Sequence, residues 1–277
     1  MQANGKVDEE SRDHSDELLL VATAAANAAA EVVRSAAAGA SSLLWELKGV
    51  SDFVTEVDRT AELRMSEVIR SAVPDASVMG EELSPDSLIR ARGTTFVADP
   101  IDGTTNFLHG YPQYSVSIGV LVDSSLVAGV VLNVVSGELF TATHRGGAYR
   151  NGDRIAVSSI DSPSRALIGT GFPFKRQDLL DDYSRQFIEI SRQTAGIRRA
   201  GSAALDLADV ACGRFDGFWE LVLSPWDVAA GILLIQEAGG VVTDMQGQSK
   251  TVSHGPVVAG NPSIQPWLLK ILAKRAH

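Results

Sequence analysis

Asp99-Pro-Ile-Asp-Gly-Thr-Thr-Asn-Phe107 is the stretch on which the reading of this chain turns. It follows the β-like apolar run 94–98, so Asp99 stands where a strand ends. Pro100 and Ile101 restrict the backbone between the two aspartates, which lets both carboxylates, and the Ile101 carbonyl, face one centre. Gly103 permits close approach to the backbone, and Thr104-Thr105 opens a short helix whose free N–H groups and positive dipole end suit a phosphate.

Other carboxylates also follow short β-like runs or open helices. Glu81 and Glu82 follow the strand-like run 77–80, and Asp227 lies just inside the helix opened by Ser224-Pro225-Trp226. Acidic pairs are ordinarily solvated surface, and Glu81-Glu82 alone would be read that way. Phosphate esters hydrolyse extremely slowly without a catalyst. Two divalent ions about 3.5–4 Å apart can neutralise the dianion and supply a nucleophilic water, and Mg²⁺ takes oxygen ligands, mainly carboxylates and waters.

Around these motifs the chain alternates in a readable way. Residues 16–38 have helical texture, with Thr23, Asn27, Glu31 and Arg34 on one polar face. Thr55 and Asp58 have capping-box spacing before a helix that stops ahead of Pro74. Residues 114–122, 126–135 and 138–144 read as consecutive strands, and Asn151-Gly152 as a hairpin turn. Strands near 166–169, 215–220, 241–244 and 256–259 then alternate with helices near 179–194, 202–211 and 226–238. Asn261-Pro262 opens a last helix. This order predicts stacked sheet and helix layers.

Composition narrows the function classes. The 277 residues carry 34 acidic and 24 basic side chains, a formal net charge of −10, and no dense Lys/Arg run. No direct nucleic-acid binding is expected. The single cysteine, Cys212, excludes an intrachain disulfide, suits a reducing cytoplasm and reads as inert packing. The apolar stretch 18–30 follows a leader with six acids and two bases, unlike a signal peptide. No unbroken apolar run reaches the roughly 18 residues of a membrane span. Residues 1–15 are expected to be a disordered polar tail. Walker, dinucleotide-binding, Gly-x-Ser-x-Gly and His-Glu-x-x-His motifs are absent from the sequence. His109, His144 and His254 lack metal-ligand spacing and read as structural or surface residues. Arg198-Arg199 reads as a solvated or interface pair rather than a phosphate clamp. Trp226 is expected to pack behind Asp227.

Taken in order, Gly80-Glu81-Glu82, Asp99 to Phe107, and Trp226-Asp227-Val-Ala-Ala-Gly231 with Glu237-Ala-Gly-Gly240 resemble the inositol monophosphatase family. Asp52 to Asp58 and Gly201-Ser-Ala-Ala-Leu205 add to the likeness, which spans about Lys48 to Gly240. The resemblance implies a layered αβαβα sandwich forming one phosphatase domain over 16–277. Its N-terminal lobe would reach about 158 and its C-terminal lobe begin about 164, with the metals between them. It implies a Mg²⁺-dependent phosphomonoesterase with two or three ions, sensitive to Li⁺, cytoplasmic and homodimeric, with no membrane partner.

Residue by residue, Glu81 would ligate the first metal and help hold the attacking water. Asp99 would bridge two metals, with the Ile101 carbonyl completing the first site. Asp102 and Asp227 would hold the second. Thr104, paired with Asp58, would polarise the water. The N–H groups of Gly103 and Thr104 would take phosphate oxygens. Asp102, the Ala203 N–H and Glu220 would meet substrate hydroxyls, and Glu82 would stand behind the ligands or touch a third ion. Lys48 is placed near a metal-site loop, with a spacing to Asp52 one residue short. Segments 198–206 and 213–220 look most like the inositol-phosphate branch, and Glu220 would repel a second phosphate. Relatives acting on histidinol phosphate or fructose-1,6-bisphosphate, and a regulatory role with RNA polymerase or transcription factors, remain the alternatives.

Overall fold

Helical and extended periodicities divide the chain into seven α-helices and fourteen strands among the described residues. The computed structural model describes residues 2–37, 45–49 and 52–273, with side chains over 13–37 and 55–273. In chain order the elements begin with α1 (Gln2–Ala37), β1 (Trp45–Gly49), β2 (Asp52–Thr55) and α2 (Glu56–Ala72). β3 (Ser77–Gly80), β4 (Thr94–Asp102), α3 (Thr104–Leu108), β5 (Ser115–Val122), β6 (Ser125–Asn133) and β7 (Leu139–Thr143) follow. Next are β8 (Gly147–Arg150), β9 (Asp153–Ile155), β10 (Leu167–Thr170), α4 (Leu180–Ser191), β11 (Gly196–Arg198), α5 (Ala203–Ala211) and β12 (Gly217–Leu223). α6 (Pro225–Glu237), β13 (Val241–Thr243), β14 (Gly255–Gly260) and α7 (Ile264–Leu272) complete the chain.

One sheet has seven strands in the order β3-β4-β5-β6-β7-β8-β9, and a second has five in the order β11-β10-β12-β14-β13. In the large sheet β3 and β4 run parallel and every later pair is antiparallel. α1 and α2 cover its outer face, α5 and α6 lie between the sheets, and α4 and α7 close the far side. The result is the layered αβαβα sandwich. The Asn151-Gly152 hairpin has positive φ at both residues, 53° and 85°, as a type I′ turn requires.

α1 buries the face its pattern predicts: Ala22, Ala25, Ala26, Ala29, Ala30 and Val33 lie against the large sheet, while Asn27, Glu31 and Arg34 face solvent. Its segment Asp13–Ala37 is long and apolar enough, by length and composition alone, to cross a membrane. Counting unbroken apolar runs misses this, because the polar face interrupts every run. The polar segment expected to be disordered has helical backbone from Gln2 onward. Once a helix is nucleated, each further residue adds a hydrogen bond, and proline is absent from this stretch. The sequence reading also left out β1, β2 and β11, each only three to five residues long.

α6 must approach the large sheet closely, and glycines allow it. A Cβ on Gly119 of β5 would lie 2.4 Å from the Ala229 Cβ, and one on Gly129 of β6 would lie 3.2 Å from the Ala230 Cα. On the opposite side, a Cβ on Gly231 would meet Leu207 of α5 at 2.5 Å. This packing sets how far the α6 N-terminus stands from the end of β4. Gly119→Val is therefore predicted to destabilise the protein by about 1–3 kcal/mol through overpacking. Thermal unfolding should show a midpoint lower by several degrees. An unchanged midpoint would refute the close-packing argument.

Candidate active site

At the end of β4 the two aspartates sit on either side of a bulge. Asp99 pairs with Ser117 and Asp102 with Ser115, so three steps on β4 match two on β5. In a regular strand, residues three apart face opposite sides. The extra residue restores a common side, and Asp99, Ile101 and Asp102 all line one cavity of about 380 Å³. The Ile101 N–H donates to Asp99 Oδ1 at 2.9 Å. Gly103 follows with φ 98°, and a Cβ there would stand 3.1 Å from the carbonyl oxygens of Gln113 and Gly201.

Thr104 opens α3. Its hydroxyl donates towards Asp58 Oδ1 and the Ile101 carbonyl, each at 3.1 Å. Asp58 is held by the predicted capping box: the Thr55 N–H donates to Asp58 Oδ2 at 2.8 Å, and the Thr55 hydroxyl accepts from the N–H groups of Val57 and Asp58. Burial raises the proton affinity of Asp58, and these hydrogen bonds oppose it.

Glu81 and Glu82 lie in the turn after β3. Glu62, fully buried on α2, accepts from the Glu82 N–H at 2.7 Å and the Leu83 N–H at 3.2 Å. Gly80 makes room for it, since a Cβ there would lie 2.0 Å from the Glu62 carboxylate. Glu62 was missed in the sequence, although it lies four residues after Asp58 on the same helix face. Asp227 is the third residue of α6, and its Oδ2 accepts the Ser224 N–H at 2.7 Å in a second capping box. That box fixes its orientation. Trp226, expected to do so, packs into a separate cluster with Met79, Val97, Leu121 and Ala229.

Glu81, Asp99 and Asp227 thereby each place a carboxylate oxygen within 4.8 Å of the others. Burial raises the proton affinity of Asp99 well above the usual carboxylate range, and the charges of Glu81, Asp102 and Asp227 push it further. Asp227 is raised well above that range for the same reasons, burial first and then Glu81 and Asp102. Hard oxygen donors repelling one another at this spacing fit a divalent cation, which would relieve the repulsion that no proton relieves fully.

Asp102 stands apart from this group of three. Its Oδ2 accepts from the Ser202 hydroxyl at 2.5 Å and the Ala204 N–H at 2.8 Å, and its Oδ1 accepts from the Ala203 N–H at 3.3 Å. The Ala203 amide, predicted to meet substrate, is directed at Asp102 instead. The α5 N-terminus has unsatisfied N–H groups and a positive end, and the nearest carboxylate fills both needs.

The rest of the cavity mixes charged side chains with apolar ones such as Phe172, Phe174, Val222 and Leu223. Glu220 on β12 lies directly over Gly171, where a Cβ would be 2.1 Å from its carboxylate. Burial pushes its pKa up to about 8, against the pull of Arg199 and Lys175. Arg199, read from sequence as a surface or interface residue, also lines the cavity. Its guanidinium sits 5.4 Å from the Phe172 ring centre and 4.9 Å from that of Phe174. Gly103, Thr104 and Ala203 share the same cavity wall. The Glu82 side chain is half-buried and is not among the residues lining the cavity. His109, His144 and His254 lie outside the cavity lining, and the Lys48 side chain falls outside the described residues.

Comparison with known proteins agrees with this geometry. The model of the inositol monophosphatase family matches residues 14–277. Nus factor SuhB of Pseudomonas aeruginosa is 46% identical over 250 residues, covering 88% of this chain and 91% of that protein. Inositol-1-monophosphatase of Rhizobium meliloti is 42% identical over 232 residues, covering 82% and 85% respectively. Among solved structures, the extragenic suppressor protein suhB of Bartonella henselae superposes with a TM-score of 0.87 at 38% identity, covering 94% of this chain and 99% of that one. Inositol monophosphatase of Anabaena gives 0.82 at 38% identity, covering 92% and 94%. The chain belongs to the inositol monophosphatase family and is a phosphoric monoester hydrolase.

Because Glu62 holds the turn that carries Glu81, Glu62→Ala should loosen one wall of the acidic group without touching the rest of the cavity. The expected outcome is a rise of about tenfold or more in the Mg²⁺ concentration giving half-maximal activity, following the effect of losing a residue that orients a metal ligand. KM for substrate at saturating Mg²⁺ should move far less. An unchanged Mg²⁺ requirement would show that the turn holds its shape without Glu62.

Proposed function

We propose that this member of the inositol monophosphatase family uses Mg²⁺ to hydrolyse inositol 1-phosphate or a similar small polyol phosphate. The observation that carries the reading is one cavity with a three-carboxylate group in its wall and Glu220 in the same lining. Bound Mg²⁺ would neutralise the phosphate and lower the pKa of a water molecule. Glu81, Asp99, Asp227 and the Ile101 carbonyl would hold two or three ions. Asp102 would share the second with Asp227, because a carboxylate has about four acceptor positions and its bonds to α5 leave some open.

The protein's own groups would then orient the reaction. The Thr104 hydroxyl has one proton to direct at Asp58 or the Ile101 carbonyl, leaving its lone pairs to accept a hydrogen bond from the attacking water; as the water gives its proton to Thr104, the hydroxyl's own proton would pass to Asp58. Together with Glu81 this would aim the water's oxygen at phosphorus. The N–H groups of Gly103 and Thr104 would take phosphate oxygens. As the new P–O bond forms, the ester P–O bond breaks, and the alcohol oxygen leaves with a proton from solvent or from the water consumed. Glu220, with Asp102 held in place by the Ala203 amide, would contact the alcohol's hydroxyls, and Glu82 would support the ligands from behind. Above a pH of about 8, where Glu220 ionises, a second phosphate near it would be repelled, which disfavours fructose-1,6-bisphosphate there. Li⁺ inhibition, a homodimer, a cytoplasmic setting and lobes dividing near 158–164 belong to the same proposal; the separation of the two sheets supports the last.

A regulatory binding role is a second reading, favoured by the name Nus factor carried by the Pseudomonas aeruginosa relative. The catalytic reading predicts that Asp99→Asn lowers kcat by at least about 100-fold, the scale of losing a principal electrostatic contribution. Phosphate release should favour inositol 1-phosphate over histidinol phosphate and fructose-1,6-bisphosphate. Wild-type turnover by Asp99→Asn under saturating Mg²⁺ would overturn the metal assignment, and a preference for either competitor would overturn the substrate. Capture of transcription proteins by folded, inactive Asp99→Asn would support the second reading.

A further inference from the structure

Asp206 has no part in the chemistry above, yet its position is difficult to explain as packing. It lies on α5, whose other buried residues are all apolar, and is only 2% exposed. Its Oδ1 is buried without a hydrogen-bond partner. Of the side-chain atoms in that state among the described residues, it alone belongs to a residue lining the cavity. Leaving such a group unsatisfied costs about 1–3 kcal/mol, and more when it is charged. An apolar residue of similar size would relieve that cost.

The surroundings narrow the missing partner. Glu220, Asp209 and Asp102 raise the proton affinity of Asp206 beyond the effect of burial, and Arg199 opposes them. A phosphate or carboxylate brought there would meet Asp206 and three further acids against one base. A hydroxyl both donates and accepts, so it can pair with a carboxyl in either protonation state. We propose that Asp206 binds a hydroxyl on the alcohol part of the substrate and, with Glu220, determines the preference for polyol phosphates. The inference rests on the polyol reading and adds to it a specificity-determining residue.

The test compares inositol 1-phosphate with cyclohexyl phosphate, which has the same six-membered ring but no free hydroxyls, using the full chain with Mg²⁺. Wild type should prefer inositol 1-phosphate in kcat/KM. Asp206→Ala should reduce that preference by about tenfold, the scale of one hydrogen bond, mainly through KM. Asp206→Asn, which retains a donor and an acceptor, should keep most of it. If Asp206→Ala fails to fold, Asp206→Leu fills the space without a polar atom and reads the same ratio. An undiminished preference in these variants, or parallel loss on both substrates, would overturn the role of Asp206 while leaving the polyol reading intact. A wild type without preference would overturn the polyol reading and this inference with it.

Discussion

Mutual repulsion among closely set carboxylates, Asp99 buried and Glu81 and Asp227 half-buried, is the constraint around which this fold is arranged. Two unit charges 4 Å apart repel by about 4 kcal/mol at an effective dielectric near 20. Glu81, Asp99 and Asp227 have oxygens within 4.8 Å of one another, with Asp102 in the same cavity. Such a group persists only if the backbone holds each acid independently. Asp227 and Asp58 are each the third residue of a helix and close a capping box, and Asp102 accepts the first amides of α5. Helix N-termini favour negative charge, and residues in the first turns of α5 and α6 line the cavity. The Gly119 and Gly129 contacts that let α6 settle on the sheet thus also serve the site.

The cavity does two kinds of work with the same residue type. Around Asp99, acids repel one another with only protons or a cation to relieve them. Around Glu220, Arg199 and Lys175 offset part of the burial effect, and Gly171 leaves room for the carboxylate. Environment thus gives the same residue type two different settings within one cavity.

Much of this was legible in the sequence where a local rule governs. The Thr55–Asp58 box, the Asn151-Gly152 turn and the strand leading into Asp99 are short-range features; the structure contains the first two as read, while the strand runs past Asp99 to Asp102. What depends on pairing partners was not legible. The bulge that turns Asp99 and Asp102 to one side exists only in the register with β5. The hold of the α5 amides on Asp102 joins segments about a hundred residues apart, and the place of Arg199 over Phe172 and Phe174 joins segments about twenty-five apart. Glu62 could have been found by helical spacing from Asp58. Its function could not, because the amides it accepts belong to a later turn.

The central claim is that Glu81, Asp99 and Asp227 converge to cage divalent cations. Anomalous diffraction from crystals grown with Mn²⁺ in place of Mg²⁺ tests it directly. The account predicts strong anomalous peaks within about 2.0–2.3 Å of oxygens from all three carboxylates, the range of hard-cation coordination. Mn²⁺ bound elsewhere, with these three side chains uncoordinated at saturating metal, would contradict it.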